Sequence, residues 1–279
     1  MAALDPPQRQ PRSAAVRWGI GGSRFTRIAA GAVLPLIILL LWQFWAPHVF
    51  TSFQLPSPAK VVEGANTYIF GPRNGVQYSG TFVTDLWASV QRVIGGFLVG
   101  ALIGVPVGLA VGFSRMAAAL LEPMIGLLRS VPGICWLPLA LIWFGFGTPS
   151  AVFLISLGSF FPIALSTIQG VRFIEPNLIR AARTLGASTL QAVRTVALPA
   201  SIPSVLNGLR LGLAYSWIYM ILGEFTGVNE GLGASLLLAR ESLRPDIIIS
   251  LMVLIGLLGV LSDAPVQWLL RRVFRTDVR

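Results

Sequence analysis

Six charged residues stand inside or beside long apolar runs: Arg92, Glu122, Arg129, Arg210, Glu224 and Asp263. A charge in hydrocarbon is costly, so each is read as facing a partner or a wet cavity. Two kinds of chemistry follow: ion pairing that fixes helices, as expected of Arg210 with Asp263, and stabilisation of a charged solute in passage. Covalent chemistry has little to work with. One histidine, His48, and one cysteine, Cys135, are too few to build a zinc site. A serine nucleophile would need a histidine base within the membrane, and His48 lies at the edge of the first apolar run. The phosphate-binding pattern G-x-x-x-x-G-K-[ST] is absent and the one lysine is Lys60, so the chain reads as having no ATPase of its own. No catalytic residue and no metal ligand set is assigned. Cys135, alone in an apolar stretch, is expected to be a small buried thiol.

The elements that must position these charges are membrane helices. Hydrophobic residues make up 54% of the chain and charged ones 11%, and no second composition regime interrupts the apolar blocks. The expectation is an all-α, polytopic membrane protein with about six transmembrane helices. Requiring about 20 apolar residues per crossing places spans near Ile28–Trp45, Val93–Phe113, Leu127–Phe146, Ala151–Gly170, Ser204–Phe225 and Ile247–Leu270. The third contains Arg129, Pro132, Gly133 and Pro138, which predicts a broken helix facing protein rather than lipid. Residues 1–27, rich in Pro, Arg, Ala and Gly, read as a tail, and residues 28–279 as one membrane domain. The first apolar run is too long for the core of a typical signal peptide and is kept as a span. Between Ala46 and Asp85, Leu55-Pro56-Ser57-Pro58 starts a short surface helix.

Basic residues are lopsided. Arginines crowd the tail, the loop holding Arg172, Arg180, Arg183 and Arg194, and the C-terminal end, whereas the opposite face has Lys60, Arg73, Arg240 and Arg244. The bias predicts a multi-pass protein of the cell inner membrane with both termini cytoplasmic. It also accounts for the net charge of +10 through anionic lipid rather than nucleic acid.

Residues Arg180–Pro199 form a polar, basic island between two apolar runs. Glu175-Pro176-Asn177 opens a helix with proline in its first turn, and Gly186 takes the backbone through a turn that a Cβ would resist. Ser188 caps a second helix, Thr189–Val196, and Pro199 is expected to stop it. Two short helices joined at a glycine make a rigid knob.

This island resembles the cytoplasmic loop of the membrane-spanning subunit of ATP-binding-cassette importers, with its E-A-A, three residues, Gly, nine residues, Ile-x-Leu-Pro. Ala181, Ala182, Gly186, Val196, Leu198 and Pro199 fall at that spacing. Arg180 stands where the family usually has Glu, so an ion pair from that Glu does not carry over. The likeness extends from about Leu86 to the C-terminal arginines, through Ser89–Phe97, Leu128–Pro132, Trp136–Gly145, Phe160–Ile163, Gly208-Leu209-Arg210, Trp217, Glu224, Gly231-Leu232-Gly233 and Asp263. The nitrate, sulfonate, taurine and bicarbonate branch is the part of the family it is most similar to.

The resemblance implies the type I importer fold and a coupling loop over about 171–201 that seats in a groove of a partner ATPase. Arg180, Ala181, Ala182, Arg183, Gly186, Ala187, Leu198 and Pro199 would make that contact. It implies a second permease subunit, read as an identical copy, two ATPase subunits carrying ATP and Mg, and a periplasmic or lipid-anchored binding protein. No cofactor is expected on this chain. The fifth span would line the path with Tyr215, Ser216, Trp217 and Tyr219, joined by Arg129, Ser130 and Trp136 of the broken span. Glu224 would serve as a gate or subunit contact beside the external turn Gly227–Gly233.

An anionic cargo fits Arg129, with an aliphatic sulfonate or taurine first and nitrate, bicarbonate, an aromatic carboxylate or a thiamine-precursor pyrimidine still open. The rival class is an ion-gradient-driven carrier that loads its ion on Glu122, Glu224 and Asp263. Such carriers commonly show inverted repeats, and none is evident here. A membrane-embedded enzyme lacks the clustered ligands its chemistry needs.

Overall fold

The computed structural model describes residues 24–49, 51, 54–72 and 79–274, and all regular structure among them is helical. The tail expected over 1–27 lies outside the described residues up to position 23, as do Arg73, Arg275 and Arg279. Helix α1 (Arg24–Val49) carries the apolar stretch Val33–Trp45 and meets the rest chiefly through α2 (Pro58–Phe70). There the Trp42 indole donates to Pro56 O at 3.1 Å, and Ala59 N–H donates to Gln43 Oε1 at 3.4 Å.

The centre is a three-helix stack of α3 (Phe82–Phe113), α6 (Thr148–Arg172) and α9 (Leu198–Glu224). Gly96, Gly100, Gly104, Gly108 and Gly112 recur every four residues, which puts them on one face of α3. A Cβ on them would run in turn into Ile155, Ser159, Ile163, Thr167 and Val171 of α6, so the two helices lie parallel in one constant register. On the other side of α6, α9 runs antiparallel: Gly223 meets Ala151, Gly212 meets Ile163, Gly208 meets Ser166, and Gly170 of α6 meets Ser204. Lipid is as apolar as leucine, so helices associate in it mainly by close contact, and small residues allow the backbones to approach.

Span two begins at Phe82, well before the expected Val93. The sequence boundary followed hydropathy and excluded the polar turns holding Asp85, Ser89 and Arg92. These three are buried, and their partners lie inside the protein. The expected third span is two helices, α4 (Arg115–Ser130) and α5 (Leu137–Phe144), bent by 98° across a short 3₁₀ turn at Gly133–Trp136. Pro132 has no N–H to continue the ladder. Ser114 separates α3 from α4 and caps the latter, its Oγ accepting from Ala117 N–H at 3.2 Å. Cys135 is exposed in the 3₁₀ turn, against the expectation of a buried thiol, because this apolar stretch turns at the surface instead of entering the core.

Beyond α6, α7 (Pro176–Thr184) and α8 (Thr189–Ala192) form the knob. Pro199 does not end a helix as expected. A π-turn over Val193–Ala197, with Leu198 N–H donating to Val193 O, widens the helix so that the proline ring fits and α8 runs on into α9. The combined run Leu190–Glu224 spans 35 residues. After α9 come α10 (Leu232–Glu241) and α11 (Pro245–Phe274).

Among the described residues four helices are long and apolar enough to cross a membrane, and the bent α4–α5 pair makes a fifth candidate. With α1 they approach the expected six. Gly108→Val, which forces side-chain bulk against Thr167 and the Ala164 carbonyl, is expected to destabilise the protein by about 1–3 kcal/mol in denaturant titrations. Gly256→Ala, which faces open space on α11, should leave the transition in place.

Candidate functional site

The knob is built by two local capping devices. Gly186 has φ +89° at the end of α7, with its N–H on Arg183 O at 3.0 Å and Ala187 N–H on Ala182 O at 3.0 Å, the paired bonds of a Schellman turn. Ser188 then starts α8 with reciprocal bonds: Ser188 N–H donates to Gln191 Oε1 at 2.8 Å and Gln191 N–H to Ser188 Oγ at 3.3 Å. Arg180, Ala181, Arg183, Gly186, Leu198 and Pro199 are exposed, and Ala182 and Ala187 half-buried. Neither Arg180 nor Arg183 meets a carboxylate among the described residues. Phe173 and Leu185, 85% and 88% exposed, stand among these arginines. Exposed apolar side chains thus stand beside arginines that meet no carboxylate among the described residues.

At the opposite end two carboxylates are sunk in the protein. Glu224, 1% exposed at the end of α9, accepts from Ser89 Oγ at 2.7 Å and Arg92 Nη1 at 2.8 Å through one oxygen, and from Gly233 N–H at 2.7 Å through the other. Asp85 accepts from the Tyr68 hydroxyl at 2.8 Å, Ser235 Oγ at 2.7 Å and Gly231 N–H at 3.0 Å. Leu232 N–H reaches Ser89 Oγ at 2.9 Å. Three of the N–H groups that open α10, those of Gly231, Leu232 and Gly233, therefore point into acceptors, with two carboxylates at the positive end of the helix. Gly231, at φ +144°, sits so close that any Cβ would enter the Glu224 carboxyl. Arg92 adds a bond to Glu230 O at 2.7 Å. Burial, with the Asp85 carboxylate beside it, holds the Tyr68 hydroxyl far above its ordinary pKa.

The residues expected to line a path divide into two groups. Tyr219 lays its ring over Gly133 of the 3₁₀ turn and Gly158 of α6, so the broken segment is seated on α9 and α6 by one aromatic side chain. Arg129 and Ser130 are exposed just before that turn, Ser130 Oγ bonding back to Gly126 O at 2.9 Å, and Arg129 meets no carboxylate among the described residues. The Trp136 indole nitrogen is buried without an acceptor. Tyr215 is exposed on α9.

Ser216 and Trp217 face inward instead. Ser216 is buried with its hydroxyl on Gly212 O at 2.9 Å, and Trp217 packs with Tyr68, Val93, Met220 and Leu251. Glu224 is likewise enclosed in the α10 network, away from any open surface. Its carboxylate accepts from Ser89, Arg92 and Gly233.

Arg210 and Asp263 form a two-bonded ion pair at 2.5 and 2.6 Å between α9 and α11. Glu122 and Arg172 do the same between α4 and α6, at 2.9 and 2.7 Å, on the surface. Asp85, Ser89, Tyr68 and Ser235 were absent from the expected site. The signal was present, since Asp85, Ser89 and Arg92 fall at i, i+4 and i+7, one polar stripe on one helix face.

Residues 96–275 match the family described as binding-protein-dependent transport system inner membrane component. The chain is 33% identical over 257 residues to the taurine transport system permease protein of Escherichia coli, covering 92% of this chain and 91% of the relative. It is also 33% identical over 256 residues to the bicarbonate transport system permease protein of Synechococcus elongatus, covering 88% and 90%. Among solved structures, an inward-facing methionine ABC transporter superposes with a TM-score of 0.60 at 23% identity, over 71% of this chain and 97% of that one. At that identity the likeness shows the fold.

Removing one partner from the buried pair should be far more damaging than removing one from the surface pair. Arg92→Ala, which strands the Glu224 charge, is expected to lower unfolding free energy by about 3–5 kcal/mol. Arg172→Ala should leave the melting temperature nearly unmoved, because an exposed pair is screened by water. Thermal melts of the two purified variants check both statements.

Proposed function

The chain belongs to the binding-protein-dependent transport system inner membrane component family, and from that premise we propose that it passes taurine or another compact aliphatic sulfonate across the inner membrane. It is a multi-pass permease subunit of an ATP-binding-cassette importer. The observation that carries the mechanism is the knob: an exposed, doubly capped pair of short helices whose second member continues without a break into a core membrane helix. A push on that knob is delivered to α9 rather than lost in a loop.

In this reading the knob faces the cytoplasm, together with both termini, and seats in a partner ATPase that holds ATP and Mg. Arg180, Arg183 and Leu185 supply cations and apolar surface to the groove, while Ala181, Ala182, Gly186 and Ala187 keep the approach close. Leu198 and Pro199 belong to the continuous stretch where the knob passes into the membrane helix. Two copies of the chain pair with two ATPases, and a binding protein delivers cargo to the end that carries α2 and α10. Arg129 and Ser130, exposed at the break of the third span, offer a cation and, on exchange of its bond to Gly126 O, a hydroxyl to an anion that has left water. Trp136, Tyr215 and Tyr219 line the approach to that break.

A sulfonate is favoured by the likeness to the Escherichia coli permease, and bicarbonate is the second reading, favoured by the likeness to the Synechococcus elongatus one. An ion-driven carrier is disfavoured because each of its three candidate carboxylates, Glu122, Glu224 and Asp263, is already bonded to an arginine.

Reconstitution of the chain with its ATPase and binding protein in proteoliposomes tests the proposal. Taurine uptake should require ATP, and Gly186→Asp, which puts a side chain at φ +89°, should abolish uptake. Uptake driven by an imposed ion gradient without ATP would contradict the proposal. Arg129→Ala should assemble normally and lower uptake roughly tenfold, the worth of about 1.4 kcal/mol.

A further inference from the structure

The knob and the buried carboxylates lie at opposite ends of one helix. The run Leu190–Glu224 contains 35 residues, about 50 Å at 1.5 Å per residue. It begins in the knob and ends on Glu224, whose carboxylate holds the backbone N–H of Gly233 at 2.7 Å. The same carboxylate holds Ser89 Oγ, and that hydroxyl accepts from Leu232 N–H at 2.9 Å. Both bonds end on the first turn of α10, and glycine contacts between α6 and α9 hold the long helix close against its neighbour.

We propose that Glu224 is a positioning residue that joins α9 to α10, so that a movement imposed at the knob relocates α10, and a load on α10 is felt at the knob. The inference rests on the importer reading given above, and it assigns the signalling route between its two faces. Three features fit a joint better than a simple packing contact. Glu224 is the last residue of α9 and lies next to α10 through two backbone amides, one direct and one through Ser89. Gly231 permits the approach, because any Cβ there would displace the carboxyl. Arg92 balances the charge and also grips Glu230 O in the connection between the two helices, so the joint resists both pulling and twisting.

The consequence is reciprocal, as any coupling between two binding sites must be. Nucleotide bound by the ATPase on the knob should alter affinity at α10, and a protein docked at α10 should alter the affinity for nucleotide; that docked protein should also stimulate ATP hydrolysis through Glu224. The test uses the full complex of permease, ATPase and binding protein in proteoliposomes. ATP hydrolysis is measured with and without taurine-loaded binding protein, for Glu224→Gln and for Ser89→Ala, a small change that removes the relay alone.

The expected result is that the stimulation ratio falls at least fivefold in both variants, while the unstimulated rate of Ser89→Ala stays at that of the wild type. A merely structural role would lower stimulated and unstimulated rates together, which would overturn the proposal, as would full stimulation in both variants. A wild-type complex with no stimulation at all would overturn the importer reading, and the joint with it.

Discussion

Helix α6 is clasped at backbone contact distance from both sides, by a four-residue glycine repeat on α3 and by Gly208, Gly212 and Gly223 on α9. Everything else in the molecule inherits the register this contact imposes. In lipid, apolar surface gains little by leaving one apolar neighbour for another, so the close approach itself must supply the association. It does so over the whole length of α6. With α3, α6 and α9 locked in register, Asp85, Ser89 and Arg92 on the first turns of α3 are delivered to the end of α9 with no freedom left to search.

That delivery creates the polar centre at one end. A buried ion pair is weak evidence for stability, because desolvation consumes much of the attraction. Its value here is geometric. Asp85, Ser89 and Glu224 accept from the Gly231, Leu232 and Gly233 amides that open α10, which fixes its place and direction. The knob is built the opposite way: its caps use only neighbouring backbone and one Ser–Gln pair, which makes it rigid while Arg180, Arg183 and Leu185 stay exposed.

The local parts of this arrangement were legible in the sequence. Proline opening α7, glycine at its exit and serine starting α8 are short-range signals, and hydropathy found the long helices and the broken third span. Three things were not. The partners of Glu224 and Glu122 lie 132 and 50 residues away along the chain, and no spacing rule connects them. Asp85 was lost because hydropathy placed the span boundary after it, treating polar turns as exterior although their partners bury them. Pro199 looked like a stop because the rule assumes an α-helix, and a π-turn removes the clash on which the rule depends. The glycine repeat on α3 is visible at four-residue spacing but acquires meaning only once its neighbour α6 is known.

Rigid coupling requires that the knob and α10 move as one body with α9. Spin labels at Leu190→Cys in α8 and Ser242→Cys after α10, both exposed sites, can be introduced once the single native Cys135 is replaced by serine. Doubly labelled chains are diluted into unlabelled ones, and the distance within one chain is measured by pulsed electron resonance in the nucleotide-free and ATP-trapped complexes. Rigid coupling predicts one unchanged, narrow distance in both states, even as transport proceeds. A distance that shifts or broadens when ATP binds would show that the helix yields between its ends, and would contradict it.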